Sequence, residues 1–167
     1  YLKRIIGEKE EIRIFDFGCG TGGEIIAFLG IIHNICPKLK KIEVAAFDGN
    51  HHALRCLEQI VKELQKKAPF SIILRPIPIE IDDFYDLSLV EDIISGKYDI
   101  MFTFKAICEF VTKERFEQDN AYEHIAKFFM NNLSTNGVAI IEDVTSYNDV
   151  ASEWLPKMMD KGLKGID

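Results

Sequence analysis

The segment Phe15-Asp16-Phe17-Gly18-Cys19-Gly20-Thr21-Gly22-Gly23 constrains this chain more than any other. An apolar run carrying one acid leads into a glycine-rich turn, and the apolar, helix-like stretch from Glu24 to Ile32 follows directly. A strand, a glycine turn and a helix in that order bring bare backbone against a nucleoside-bearing ligand. Two glycine patterns overlap here. Gly18, Gly20 and Gly23 satisfy G-x-G-x-x-G, the fingerprint of dinucleotide sites, while Asp16, Gly18, Gly20 and Gly22 satisfy D-x-G-x-G-x-G. Asp16 separates them. A carboxylate two residues before the first glycine sits near the helix N-terminus, where a dinucleotide places its pyrophosphate, and the two anions repel. A ligand without phosphate and with cationic groups is attracted by the same carboxylate.

Composition bounds the rest. The 167 residues are enough for one domain, burying about 70% of its unfolded surface. No apolar run approaches about 18 residues, and no secretory leader is visible, so a cytoplasmic protein that does not span a membrane is expected. The four cysteines, Cys19, Cys36, Cys56 and Cys108, include no C-x-x-C pair and are read as reduced packing residues. A net charge of −7 argues against direct nucleic-acid binding by this domain alone, because that affinity comes largely from Lys and Arg on phosphates. The clusters Lys38, Lys40, Lys41 and Lys62, Lys66, Lys67 are read as solvated faces.

Apolar periodicity places strands at Ile12 to Phe17, Ile42 to Phe47, Ser71 to Ile79, Tyr98 to Phe104 and Val138 to Glu142. Between them lie helical stripes. Leu54, Leu57, Val61 and Leu64 make one, Phe116, Ile125, Phe128 and Phe129 mark another ending before Leu133, and Asn148 to Lys161 is helix-like. Such alternation predicts an α/β fold, a three-layer sandwich with a mainly parallel sheet covered on both faces. Pro76 and Pro78 cannot donate to a sheet ladder, so the third strand is expected at an edge.

The D-x-G-x-G-x-G turn resembles the first motif of class I S-adenosylmethionine-dependent methyltransferases. The resemblance runs from about Ile12 to Asp143 and implies the strand order 3-2-1-4-5, in which the third strand is an edge. It implies S-adenosylmethionine as cofactor and S-adenosylhomocysteine as product, with Asp16 and the turn residues Gly18, Cys19, Gly20 and Gly22 around it. Asp48-Gly49, at the end of the second strand, resembles the family's second motif, with Asp48 as acceptor for the ribose hydroxyls; a helix cap at Asp48 is the structural alternative. Asp82, Asp83 and Phe84 resemble the adenine-contacting segment, and either acid, or a plain solvent-facing turn, fits that position. The fourth strand's exit, Phe104 to Phe110, is expected beside the transferable methyl, with Phe104 near the cofactor and Glu109 as candidate catalytic base. The family's C-terminal antiparallel hairpin is expected to be absent or truncated here, and the chain is read as a single domain forming a piece of a longer protein.

Other chemistries are less well supplied. No N-P-P-Y or D-P-P-Y tetrapeptide is present, and Cys108 lacks the Pro-Cys or Thr-Cys setting of cytosine C5 enzymes. The neighbours His51 and His52 diverge at a helix start without a third ligand, so no metal is expected. Glu142 and Asp143 close the fifth strand at the ligand rim, where as neighbours only one can point inward. The function that follows is methyl transfer from S-adenosylmethionine to an acceptor, expected to be a small molecule. The alternatives are a silent methyltransferase-like binding module, an RNA or protein methyltransferase that needs another domain, and an NAD-dependent dehydrogenase.

Overall fold

A computed structural model describes residues 2–144, 154–164 and 166. The elements in chain order are α1 (Leu2–Ile6), β1 (Glu11–Phe17), α2 (Gly23–Ile35), β2 (Lys41–Phe47), α3 (His51–Gln65), β3 (Ser71–Ile77), α4 (Ser88–Ile93), β4 (Tyr98–Phe104), α5 (Ile107–Phe110), α6 (Lys113–Gln118), α7 (Ala121–Asn132), β5 (Leu133–Glu142) and α8 (Trp154–Lys164). Five strands form one sheet in the order β3-β2-β1-β4-β5, and every pairing is parallel.

The central strands alternate apolar side chains onto two faces, which is why both faces are covered. Ile12 and Ile14 of β1, Ile42, Val44 and Ala46 of β2, and Ile100 and Phe102 of β4 share a cluster with Ile25, Leu29 and Ile32 of α2 and Leu54, Leu57 and Val61 of α3. Phe15, Phe17, Ala45, Phe47 and Met101 point the other way. They pack on Val90 of α4, Phe116 of α6 and the α7 residues Tyr122, Ile125, Phe128 and Phe129. The result is the expected three-layer sandwich. α8 lies on α7, with Leu155 buried and the Asn120 side-chain amide donating to the Met158 carbonyl at 2.8 Å.

Several boundaries differ from the sequence expectation. β3 is an edge strand, but it ends at Ile77 and not Ile79, because the chain turns there and Ile79 N donates back to the Ile77 carbonyl at 3.1 Å. β5 starts five residues earlier than expected, at Leu133, and its pairing with β4 shifts register between Tyr98 and Ile100. The stripe from Phe116 to Phe129 is two helices. Thr112 caps α6 by accepting from Arg115 N, and Asn120 caps α7 by accepting from Tyr122 N and Glu123 N. The described part of the expected C-terminal helix is α8; residues 148–153 lie outside the described residues. No helix among the described residues is long and apolar enough to cross a membrane.

Candidate functional site

The carboxyl ends of β1, β2 and β4 meet on one rim, the usual ligand edge of an open α/β sheet. The glycine turn leaves β1 there. Gly18 N and Cys19 N both donate to the Phe47 carbonyl, at 2.9 and 3.0 Å, so the turn folds across the end of β2. Gly18 adopts φ +73, and a Cβ on it would lie 2.5 Å from the Ala106 Cβ. Only glycine lets the turn approach the loop after β4 this closely. Gly22 heads α2 without a side-chain cap.

Asp48 ties the turn to β2. Its Oδ2 accepts from Gly20 N at 2.6 Å and its Oδ1 from Asn50 N at 2.7 Å. Asp48 is not the cap of α3; that role falls to Asn50, which accepts from His52 N and Ala53 N. A carboxylate offers about four lone-pair positions, so after these two bonds Asp48 retains one on each oxygen.

Asp16 sits inside the sheet, paired in register with Ala46 on one side and Phe102 on the other. It is fully buried, and among the described residues neither of its oxygens has a hydrogen-bond partner. Burial above all, then the neighbouring Glu24 and Asp48 carboxylates, push its carboxyl well above the ordinary range. The Cys19 thiol is pushed up by burial and by the same acids, which leaves it an inert packing group.

A cavity of about 400 Å3 opens on this rim, within the usual size of small-ligand sites. Its floor is Gly18, Asp48 and Gly49; Ile79, Glu80 and Ile81 form the wall after β3; Ala106, Glu109 and Phe110 form the wall after β4. Of the residues expected at the site, Gly18, Asp48, Gly49 and Glu109 therefore line the cavity. Asp16, Cys19, Gly20 and Gly22 do not line it: Asp16 lies behind the turn within β1, and the other three belong to the turn itself.

Asp82 and Asp83 do not line it. Both are exposed; Asp83 Oδ1 accepts from Tyr85 N at 3.0 Å, and its Oδ2 is 3.8 Å from the Arg115 guanidinium. The acid on the cavity is Glu80. Because β3 stops at Ile77, the rim falls on residues 79–81 and not on 82–84; the turn of Ile79 N onto the Ile77 carbonyl has no mark in the sequence, since Pro76 sits within the strand with the same orientation as Pro78. Phe84 is buried one layer deeper, its ring 6.0 Å from Phe17 and 5.9 Å from Phe110. Phe104 turns to the other face of the sheet, 5.6 Å from Phe102. Phe110 lies over Phe17 at 5.5 Å and bounds the cavity. His51 and His52 are exposed, and among the described residues no group of three or more His, Cys, Asp or Glu side chains is arranged to hold a metal ion.

No protein-family model matches the sequence, and no curated protein aligns with it significantly. Solved structures do match. A Clostridium thermocellum protein named as an rRNA-methylase superposes with a TM-score of 0.61 at 16% identity, covering 100% of this chain and 79% of that one. A cyclopropane synthase from Mycobacterium tuberculosis gives 0.52 at 13% identity, over 96% of this chain and 44% of its own. A mycolic acid cyclopropane synthase complexed with S-adenosylhomocysteine gives 0.50 at 14% identity, over 83% and 38%. This chain thus spans less than half the length of the last two. The sheet order, the rim and these superpositions together give the chain the fold of class I S-adenosylmethionine-dependent methyltransferases.

Proposed function

We propose that the chain binds S-adenosylmethionine on the carboxyl rim and directs its methyl group to a small-molecule acceptor. The observation that carries this reading is Asp16. Burying a carboxylate is costly in any fold, which is why the Asp16 carboxyl is pushed up, and a cationic ligand beside the turn favours its charged form by Coulomb attraction in a low-dielectric setting. A dinucleotide pyrophosphate does the reverse. The residues present fit the cofactor in other respects as well. Asp48 has free lone pairs for two hydroxyls, the glycine turn leaves room for a nucleoside, and Ile79, Ile81 and Phe110 supply apolar walls for a base.

When bound, the cofactor supplies a methyl group activated by the adjacent sulfonium. The chain's own residues position and desolvate. Asp48 orients the sugar, Gly18 and Ala106 close the backbone around it, and Glu109, on the wall after β4, takes the acceptor's proton. The cavity wall carries Asp48, Glu80 and Glu109 and no Lys or Arg, which together with the net charge of −7 disfavours a polyanionic acceptor. That favours a small molecule over RNA. Phe110 bounds the cavity without filling it, and Phe104 faces away, an arrangement that favours an enzyme over a silent module. A cytoplasmic domain that is one piece of a longer protein completes the reading.

Calorimetric titration with S-adenosylhomocysteine and, separately, with NAD tests it. Binding of the first and none of the second is expected. NAD affinity without a response to S-adenosylhomocysteine would overturn it.

A further inference from the structure

The wall that carries Glu109 and Phe110 leaves β4 through a backbone that resists its own sequence. Lys105 adopts φ +56 and is the one positive-φ residue other than glycine among the described residues. Side chains with a Cβ rarely hold that conformation unless the surroundings impose it. The surroundings here are the end of β5. Lys105 N donates to the Glu142 carbonyl at 2.8 Å. Three residues on, Cys108 N donates to Asp143 Oδ2 at 3.1 Å. The same oxygen accepts from the hydroxyl of Tyr122 at 3.0 Å, and Tyr122 is fully buried in α7. Asp143 Oδ1 accepts from Val144 N at 2.8 Å. Asp143 does not itself line the cavity. Its carboxylate is a junction where β5, the first turn of α5 and the buried start of α7 meet.

We infer that Asp143 is a positioning residue: by holding Cys108 N against Tyr122 it fixes the turn that places Glu109 and Phe110 on the cavity wall. Its functional consequence rests on the cofactor-binding reading above; its structural consequence does not. Without the carboxylate, Cys108 N and the Tyr122 hydroxyl lose their shared acceptor, and the strained exit at Lys105 is left with the Glu142 carbonyl and the weak Cys108 Sγ contact to its own carbonyl. The loop then relaxes away from its present register, and the wall goes with it. An asparagine at the same position can turn its oxygen to Cys108 N and the Tyr122 hydroxyl, giving up only the acceptor for Val144 N, so it preserves the grip on the turn.

The test compares wild type, Asp143→Ala and Asp143→Asn by amide hydrogen exchange and by calorimetry with S-adenosylhomocysteine. In Asp143→Ala, exchange at Cys108, Glu109 and Phe110 is expected to rise by about tenfold, as for loss of one charged acceptor, with protection in β1 and β2 unchanged. Affinity for S-adenosylhomocysteine falls by about tenfold in Asp143→Ala and stays within about threefold of wild type in Asp143→Asn. Unchanged exchange in the loop, equal behaviour of the two variants, or loosening spread across the sheet would each overturn the inference. If wild type fails to bind S-adenosylhomocysteine, the cofactor reading fails on its own, and the exchange pattern alone decides the role of Asp143.

Discussion

Asp16 is expected to leave a signature in the pH dependence of stability. Its carboxyl is raised above the ordinary range by burial, Glu24 and Asp48, so between its unfolded and folded pKa values the native state holds a proton that the unfolded chain has released. In that window stability falls as pH rises, and it recovers on acidification. Asp16→Asn has no proton to lose. Relative to wild type it should show a flatter Tm against pH, and at neutral pH a Tm higher by about 2–4 °C for each kcal/mol relieved. It should also bind S-adenosylhomocysteine more weakly. Scanning calorimetry of both proteins at several pH values checks this, and identical Tm profiles would contradict it. Asp48→Ala should weaken S-adenosylhomocysteine binding by about 1–3 kcal/mol, measured by titration. Because Asp48 also accepts from Gly20 N and Asn50 N, one on each oxygen, the Tm of Asp48→Ala should fall as well, and Asp48→Asn, whose single amide oxygen keeps only one of these bonds while its NH2 faces the other donor, should lie between Asp48→Ala and wild type. The identities of Asp16 and Asp48 were legible in the sequence because each follows or sits within an apolar strand beside a glycine. The second role of Asp48, as the clamp on Gly20, was not, since it depends on how the turn folds over β2.

At the scale of elements, the turn between β1 and α2 and the loop after β4 behave as one unit. Gly18→Ala places a Cβ 2.5 Å from that of Ala106 at φ +73, and should destabilise the protein by about 1–3 kcal/mol while abolishing cofactor binding. Gly20→Ala meets nothing within 4 Å and should cost only the backbone penalty, about 1–2 kcal/mol. Urea unfolding of both variants distinguishes a packed turn from a merely flexible one. Strand positions were readable because β1, β2 and β4 are buried on both faces, and the edge position of β3 because Pro76 and Pro78 disqualify it from the sheet interior; the full order followed only from the family resemblance. Boundaries were less so. The division of α6 from α7 carried a readable mark, Asn120 three residues before Glu123, a spacing suited to a helix start. The early start of β5 carried none, since Leu133 pairs with Tyr98 only through tertiary packing.

Across the whole molecule, the cavity is small and its lining acidic, and Glu109 is the carboxylate that the segment after β4 places on it. Glu109→Gln is expected to slow methyl transfer by about 100-fold, the usual worth of a positioned base, with S-adenosylhomocysteine affinity unchanged. Single-turnover assays with a panel of small nucleophiles test this; equal loss of binding and turnover would assign Glu109 to the cofactor instead. The glycine turn and Asp48 on the cavity floor were legible from local motifs, whereas the walls come from the segments after β3 and β4, whose meeting depends on where β3 ends and how β5 grips the β4 exit. The most direct test of the central claim is a crystal structure grown with saturating S-adenosylhomocysteine. The nucleoside should occupy the cavity between Gly49 and Phe110, with both ribose hydroxyls in hydrogen-bond contact with Asp48 and the ammonium group on the Asp16 side of the glycine turn. A nucleoside bound elsewhere, or a cavity that excludes it at saturation, would contradict the account.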